Sequence, residues 1–128
     1  MSEFKTLLAV GDIMNKEIVS IAESETVQIA AARMAAENIS SLLLVNGKDE
    51  PSGIVTEQDI VRRAVATGMD ITINPISMVM SKEIVRIAAD ESVFEARNLM
   101  KEKNLNHLVV VKNEKPVGIL TTSHLLGG

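Results

Sequence analysis

The sequence predicts an α+β fold of two β-α-β-β-α repeats, each a small sheet packed with helices, related by a pseudo-twofold axis. Three observations carry that prediction. First, the chain repeats itself: Met80-Ser81-Lys82-Glu83-Ile84-Val85 restates Met14-Asn15-Lys16-Glu17-Ile18-Val19, 66 residues on. At the same offset Ile87, Val93, Ala96, Met100, Asn104, Leu108 and Val111 answer Ile21, Val27, Ala30, Met34, Asn38, Leu42 and Val45. One residue is then lost in a turn, and Pro116, Gly118, Ile119 and Thr121 answer Pro51, Gly53, Ile54 and Thr56. Second, short apolar runs of strand length alternate with segments of helical period. Third, 46% of the 128 residues are hydrophobic, enough for a packed core, while a lone repeat of half this length would be marginal. The two repeats should therefore close one core between them, with related clefts at the seam.

Taken in order, residues 1–12 are a lead-in with a helical turn or more around Phe4, Leu7 and Leu8. Residues 13–68 form the first repeat. Val19-Ser20-Ile21 alternates apolar and polar as a short strand does. Ser24-Glu25-Thr26 supplies capping residues for a helix to about Asn38, which carries Val27, Ala30, Ala31, Met34 and Ala35 on one face. Ser41 to Val45 is a continuous apolar run, Asn46 to Pro51 a turn, and Ser52 to Val55 the next strand. A helix from about Glu57 to Ala66 follows, with Gly68 as its stop. Residues 69–78 are a linker punctuated by Asn74-Pro75, and residues 79–128 are the second repeat, where Ser92 and Glu95 have the spacing of a capping box. The second repeat's last helix is truncated at Leu125-Leu126-Gly127-Gly128. Phe4, Leu7 and Leu8, or a second chain, are the candidates to cover the apolar surface so exposed.

Composition narrows the function classes. A net charge of −4 without a basic stripe argues against binding a nucleic-acid duplex, and an aromatic content of 2%, Phe4 and Phe94 alone, argues against base-stacking platforms. No cysteine means no disulfide, thiolate metal site or cysteine nucleophile. The apolar run at the N-terminus is too short for a signal peptide, and no run reaches transmembrane length, so the chain reads as soluble and cytoplasmic. Two histidines without cysteine make no metal-ligand cluster, the adjacent Ser123 and His124 make no nucleophile and base, and no phosphate-loop or dinucleotide fingerprint occurs. The chain reads as a non-enzyme, with no catalytic and no metal-binding residues.

The stretch Gly53-Ile54-Val55-Thr56-Glu57-Gln58-Asp59 concentrates the chemistry: a strand leaving the core, then a hydroxyl and a carboxylate where a helix begins. Its second copy, Gly118-Ile119-Leu120-Thr121-Thr122-Ser123-His124, keeps the glycine and the threonine but places histidine where the first has Asp59. Two readings of Thr56 and Asp59 stand side by side. One is a helix cap, an acidic form of the capping box, contributing about 1 kcal/mol. The other is a ligand site in which the carboxylate accepts from hydroxyls and the helix start takes a phosphate. Arg62 and Arg63 likewise read either as a solvated face with an Asp59–Arg63 ion pair or as phosphate contacts.

The tandem repeat, with Asp12-Ile13-Met14 ahead of the first strand and Gly-apolar-x-Thr-x-x-Asp after the third, resembles a pair of cystathionine β-synthase (CBS) domains, the Bateman module, over essentially the whole chain. The resemblance implies a regulatory module that binds AMP, ADP, ATP or S-adenosylmethionine in its clefts and forms disk-shaped homodimers. It makes Asp59 the ribose ligand, and it places the adenine against Ile18, Val19 and Ser20 and against Ser41, Leu42 and Leu43. It also puts His107 near phosphate. Those strand residues read equally as core, and His107 as a polar strand end. Thr121 matches the motif, but His124 departs from it. A neutral imidazole has one acceptor nitrogen and cannot hold a diol as a carboxylate does, so this second cleft should be empty or weak. The leading expectation is an adenine-nucleotide sensor that needs no cofactor and signals to a separate effector protein. The alternatives are a ligand-free interaction module and a sensor of S-adenosylmethionine or a related thioether.

Overall fold

The computed structural model describes residues 8–126. In chain order these form α1 (Val10–Ile13), β1 (Ser20–Ala22), α2 (Val27–Glu37), β2 (Ser41–Val45), β3 (Pro51–Thr56) and α3 (Glu57–Ile60), which runs on into a π-helical turn (Val61–Val65). A 3-10 turn (Ile76–Met78) leads to β4 (Arg86–Ala88), α4 (Val93–Lys103), β5 (His107–Lys112), β6 (Lys115–Thr121) and α5 (Thr122–Leu126). The chain divides into two compact units. One is Val19–Ile84, here the Asp59 unit. The other, the His124 unit, is Met1–Ile18 together with Val85–Gly128.

In the Asp59 unit β1 pairs parallel with β2, and β2 pairs antiparallel with β3. The helix α2 begins where Thr26 Oγ1 accepts the Ile29 N–H at 3.2 Å, and ends at Asn38, whose left-handed backbone (φ 55°) is one that asparagine tolerates better than most residues. Its Val27, Ala30 and Met34, spaced for one face, pack with Ile21, Leu42, Leu44, Val55, Ile60 and Ala64 into an aliphatic core. The helix expected from Glu57 to Ala66 is regular only to Ile60. Beyond it the Ala66 N–H reaches back to the Val61 carbonyl at 2.9 Å, the five-residue spacing of a π turn. Ala64 stays buried across that turn, while Val61 and Val65 lie on the surface.

The His124 unit repeats this plan with β4, β5 and β6 in the same order and senses. Ser92 Oγ accepts the Glu95 N–H at 3.1 Å, the serine half of the expected box, and Asn104 ends α4 with the same φ of 55° as Asn38. The core is Val10, Ile87, Ala96, Met100, Leu108, Val110, Leu120 and Leu125.

Each core borrows from the segment that precedes the other repeat's first strand. Ile76 and Val79, from the end of the expected linker and just past it, are fully buried in the Asp59 core, where the Ile76 N–H bonds the Glu25 carbonyl at 2.7 Å. Val10, from the lead-in, is fully buried in the His124 core, where its N–H bonds the Glu91 carbonyl at 2.8 Å. Of the residues expected to cover the second repeat, Phe4 and Leu7 lie outside the described residues. Leu8 is exposed but accepts the Val93 N–H through its carbonyl at 2.9 Å, so the lead-in does dock here, and Val10 is what it buries.

The two motif glycines mark where these borrowed segments cross the sheets. Ile54 and Ser81 exchange backbone hydrogen bonds at 2.9 and 2.8 Å, and Ile119 and Asn15 exchange theirs at 3.0 Å. A Cβ at Gly53 would lie 2.7 Å from the Ser81 carbonyl oxygen, and one at Gly118 would lie 2.6 Å from that of Asn15. Only glycine allows an approach this close.

Candidate functional site

Thr56 closes β3 and Asp59 lies in the first turn of α3, so the sequence T-x-x-D becomes a reciprocal cap. Asp59 Oδ2 accepts the Thr56 N–H at 2.9 Å and the Thr56 hydroxyl at 3.0 Å, and the Asp59 N–H points back to Thr56 Oγ1 at 3.3 Å. The carboxylate is 8% exposed. Its other oxygen, Oδ1, faces Arg63 Nε at 4.0 Å, beyond hydrogen-bond length, while an Arg63 amino group reaches the Met80 carbonyl at 3.4 Å. The capping reading of Asp59 is thus realised through one oxygen, and the second remains available as an acceptor. Arg62 is exposed on the π turn.

Register decides which expected residues share a surface. Ser20 lies opposite Leu43, Leu43 opposite Ile54, and Ser41 opposite Thr56. Alternation along each strand puts Ser20, Ser41, Leu43, Ile54 and Thr56 on one face and sends Ile21, Leu42, Leu44 and Val55 into the core. Ser41 and Thr56 are therefore cross-strand neighbours, Thr56 bonded to Asp59, while Ser20 shares their face from the far strand of the sheet, and Leu42 is a core residue. Val19 is half-buried against the core and accepts the Leu43 N–H through its carbonyl at 3.0 Å. Ile18 falls in the other compact unit.

The same face of the His124 unit is built from different chemistry. His107 lies opposite Thr121, as Ser41 lies opposite Thr56. His124 takes the place of Asp59: its Nδ1 accepts the Thr121 N–H at 2.8 Å and lies 3.3 Å from the Thr121 hydroxyl. An Nδ1 that accepts carries no proton, so the neutral ring holds its hydrogen on Nε2. Burial lowers the His124 pKa below the usual 6.5. His107 is 1% exposed, with Nδ1 3.0 Å from the Asn106 side-chain oxygen. One residue that the sequence reading passed over belongs with these. Arg86 lies opposite Val109, the position of Ser20, and the 66-residue offset was the signal that points to it.

Each unit also has an apolar groove between its two helices. In the His124 unit it encloses about 530 Å³ and is lined by Phe94, Arg97, Lys101, Leu105 and Leu125 among others. In the Asp59 unit it encloses about 280 Å³ beside Met34, Ala35, Glu57 and Val61. Of the lining residues Val61 (58%) and Phe94 (64%) are exposed.

The CBS domain family model matches residues 10–66 and 76–127, and the chain belongs to that family, as a tandem pair. Such pairs are commonly regulatory and ligand-binding. Among its relatives is an uncharacterized protein of Methanopyrus kandleri, 32% identical over 93% of this chain; the chain spans 61% of that relative's length. Hypoxic response protein 1 of Mycobacterium tuberculosis is 29% identical over 89% of this chain and 80% of its own. Among solved structures, an uncharacterized conserved protein from Pyrococcus horikoshii superposes with a TM-score of 0.79 at 27% identity, covering 93% of this chain and 89% of that one. A hexameric CBS-CP12 protein from bloom-forming cyanobacteria superposes at 0.81 and 28%, covering 93% of this chain and 69% of that one. Among the described residues no helix is long and apolar enough to cross a membrane.

Proposed function

We propose that the chain is a regulatory module that binds an adenosine-containing nucleotide, AMP, ADP or ATP, through the Asp59 unit and passes the signal to a separate effector protein. The observation that carries this reading is Asp59 itself. It is a nearly buried carboxylate, held rigid through Oδ2 by Thr56, with Oδ1 left as an acceptor. A ribose diol is a donor that suits such an oxygen, and bonds from hydroxyls to a carboxylate are stronger than neutral ones. Ser20 and Ser41 lie on the same sheet face and supply further polar contacts. Arg63, loosely held between Asp59 and the Met80 carbonyl, is free to turn toward a phosphate. Ligand shifts the module between states by its differential affinity for them, and the effector reads that shift. The exposed apolar residues around the grooves fit a cytoplasmic homodimer. The test is thermal melting with adenosine, AMP, ATP and S-adenosylmethionine. Adenosine and the nucleotides should raise Tm, and Asp59→Ala should weaken adenosine and AMP alike, on the order of 100-fold for about 3 kcal/mol of lost charge-assisted bonding. Four flat curves would defeat the proposal.

A second reading is favoured by the 530 Å³ groove and by exposed Phe94: an interaction module without a small ligand. Its relative in the hexameric CBS-CP12 protein is an assembly by name. On this reading Asp59→Ala leaves assembly untouched. Another solved relative, Hypoxic Response Protein I, superposes with a TM-score of 0.67 and holds two coordinated zinc ions. Among the described residues no group of three His, Cys, Asp or Glu side chains is placed to share an ion.

A further inference from the structure

We propose that Asn46 is a site of self-modification, at which the backbone nitrogen of Gly47 attacks the Asn46 side-chain amide, expels ammonia and leaves an aspartyl or isoaspartyl residue in the turn between β2 and β3. Of the eight asparagines in the chain only Asn46 precedes glycine, whose lack of a side chain leaves the attacking nitrogen open and the backbone free to bend toward the side chain. Gly47 is exposed, a Cβ there would meet nothing within 4 Å, and its N–H has no acceptor among the described residues. The nucleophile is therefore neither shielded nor held by another bond. The corresponding turn of the His124 unit is shorter by one residue and holds Asn113 before Glu114, both with left-handed backbone (φ 52° and 67°). There a side chain crowds the nitrogen, so the chain carries its own control.

The hydrogen bonds of the turn sit on the atoms that the reaction uses. Asn46 Oδ1, where negative charge develops as the nitrogen adds to Cγ, already accepts the Lys48 N–H at 2.8 Å and the Glu50 N–H at 3.1 Å. Backbone donors fixed on such an oxygen act as an oxyanion hole does. Asn46 Nδ2, the leaving nitrogen, donates to Glu50 Oε1 at 3.2 Å. The step needs only water. The bond from Gly47 N to Cγ forms, the bond from Cγ to Nδ2 breaks, and the proton lost by Gly47 leaves with ammonia. Water then opens the imide ring, at Cγ to give aspartate or at the Asn46 main-chain carbonyl to give isoaspartate. Either product sets a carboxylate against Glu50 where a donor stood. Isoaspartate also adds a carbon to the backbone inside the turn, which is closed by bonds from Asn46 N–H to the Glu50 carbonyl at 2.9 Å and from Asp49 N–H to the Asn46 carbonyl at 3.0 Å. The turn is loosened and the chain gains a negative charge.

The experiment incubates the full chain folded and, in parallel, unfolded in urea, and follows by mass spectrometry of its peptides where an amide becomes an acid. The folded chain should convert at Asn46 at least as fast as the unfolded one, while Asn113 stays intact. Conversion should run faster in mildly alkaline than in neutral buffer, because the amide nitrogen attacks once it has lost its proton. A protease that cuts before aspartate but not before isoaspartate separates the two products. Gly47→Ala fits the open space at this position, where φ is not left-handed, so it should keep the fold and slow conversion on the order of tenfold. Conversion confined to the urea-unfolded chain would mean that the turn protects Asn46, and it overturns the proposal. So does conversion at Asn113 at an equal rate, or a rate indifferent to Gly47→Ala.

Discussion

The two units differ least where they are most crowded and most on the sheet face and helix start that carry Asp59 in one and His124 in the other. Both use threonine at the end of the third strand, both cap the following helix by bonding back to that threonine, and both end the long helix on a left-handed asparagine. Yet one caps with a carboxylate and the other with an imidazole, and Ser20 and Ser41 on one sheet face answer Arg86 and His107 on the other. Folding needs only an acceptor at the cap, and Asp59 Oδ2 or His124 Nδ1 serves equally. The freedom left by that loose requirement is where binding chemistry can diverge between duplicated halves.

The largest expected effect tests the shared frame. At Gly53 an added Cβ would stand 2.7 Å from the Ser81 carbonyl oxygen, which is fixed by the paired bonds between Ser81 and Ile54. Gly118 meets the Asn15 carbonyl in the same way, at 2.6 Å. Backbone in such a ladder cannot shift cheaply, so Gly53→Ala and Gly118→Ala should each cost roughly 2–3 kcal/mol in chemical denaturation. Matching losses support one frame used twice. A loss at only one glycine would break the equivalence on which every cross-unit comparison rests.

Much of that frame was legible in the sequence. The offset of 66, falling to 65 after one turn, located both copies of each strand, and Thr26, Ser92, Asn38 and Asn104 marked helix ends through their own hydrogen-bonding habits. The threonine–carboxylate box at Thr56 was readable for the same reason. What the pattern hid was partnership. Val10 and Ile76 occupy equivalent places in the two repeats, so nothing in their composition says which core each joins, and each joins the core of the other repeat. The π turn was also hidden, since Val61-Arg62-Arg63-Ala64-Val65 reads as ordinary helix. The inward side of Leu42 was hidden for a simpler reason. In a run of four apolar residues alternation gives no sign of which face is inward, and the pairing with Val55 supplies it.

A second experiment exchanges the chemistry and keeps the frame. His124→Asp restores Thr-x-x-Asp in the second copy and should cost less than about 1 kcal/mol, because one acceptor replaces another at the cap. If the cap residue alone selects the ligand, the variant should bind two adenosines per chain by calorimetry, where the proposed function expects the natural sequence to bind one. If the count stays at one, Arg86 and His107 also exclude the diol, and the contrast belongs to the whole face.

The smallest effect isolates the imidazole. Burial holds the His124 pKa below its unfolded value of 6.5, so the unfolded chain takes up a proton more readily than the folded one. Stability from this group is therefore complete above about pH 6.5 and is lost as the pH falls through the lower folded value. Protonation also turns Nδ1 from acceptor to donor and removes the bond from the Thr121 N–H. The Asp59 unit contains no histidine, so the difference in melting temperature between the natural sequence and His124→Gln, followed from pH 7.5 down to about pH 5, reports on this ring in the company of Arg86 and His107. It should narrow toward acid, with a slope below one proton per chain.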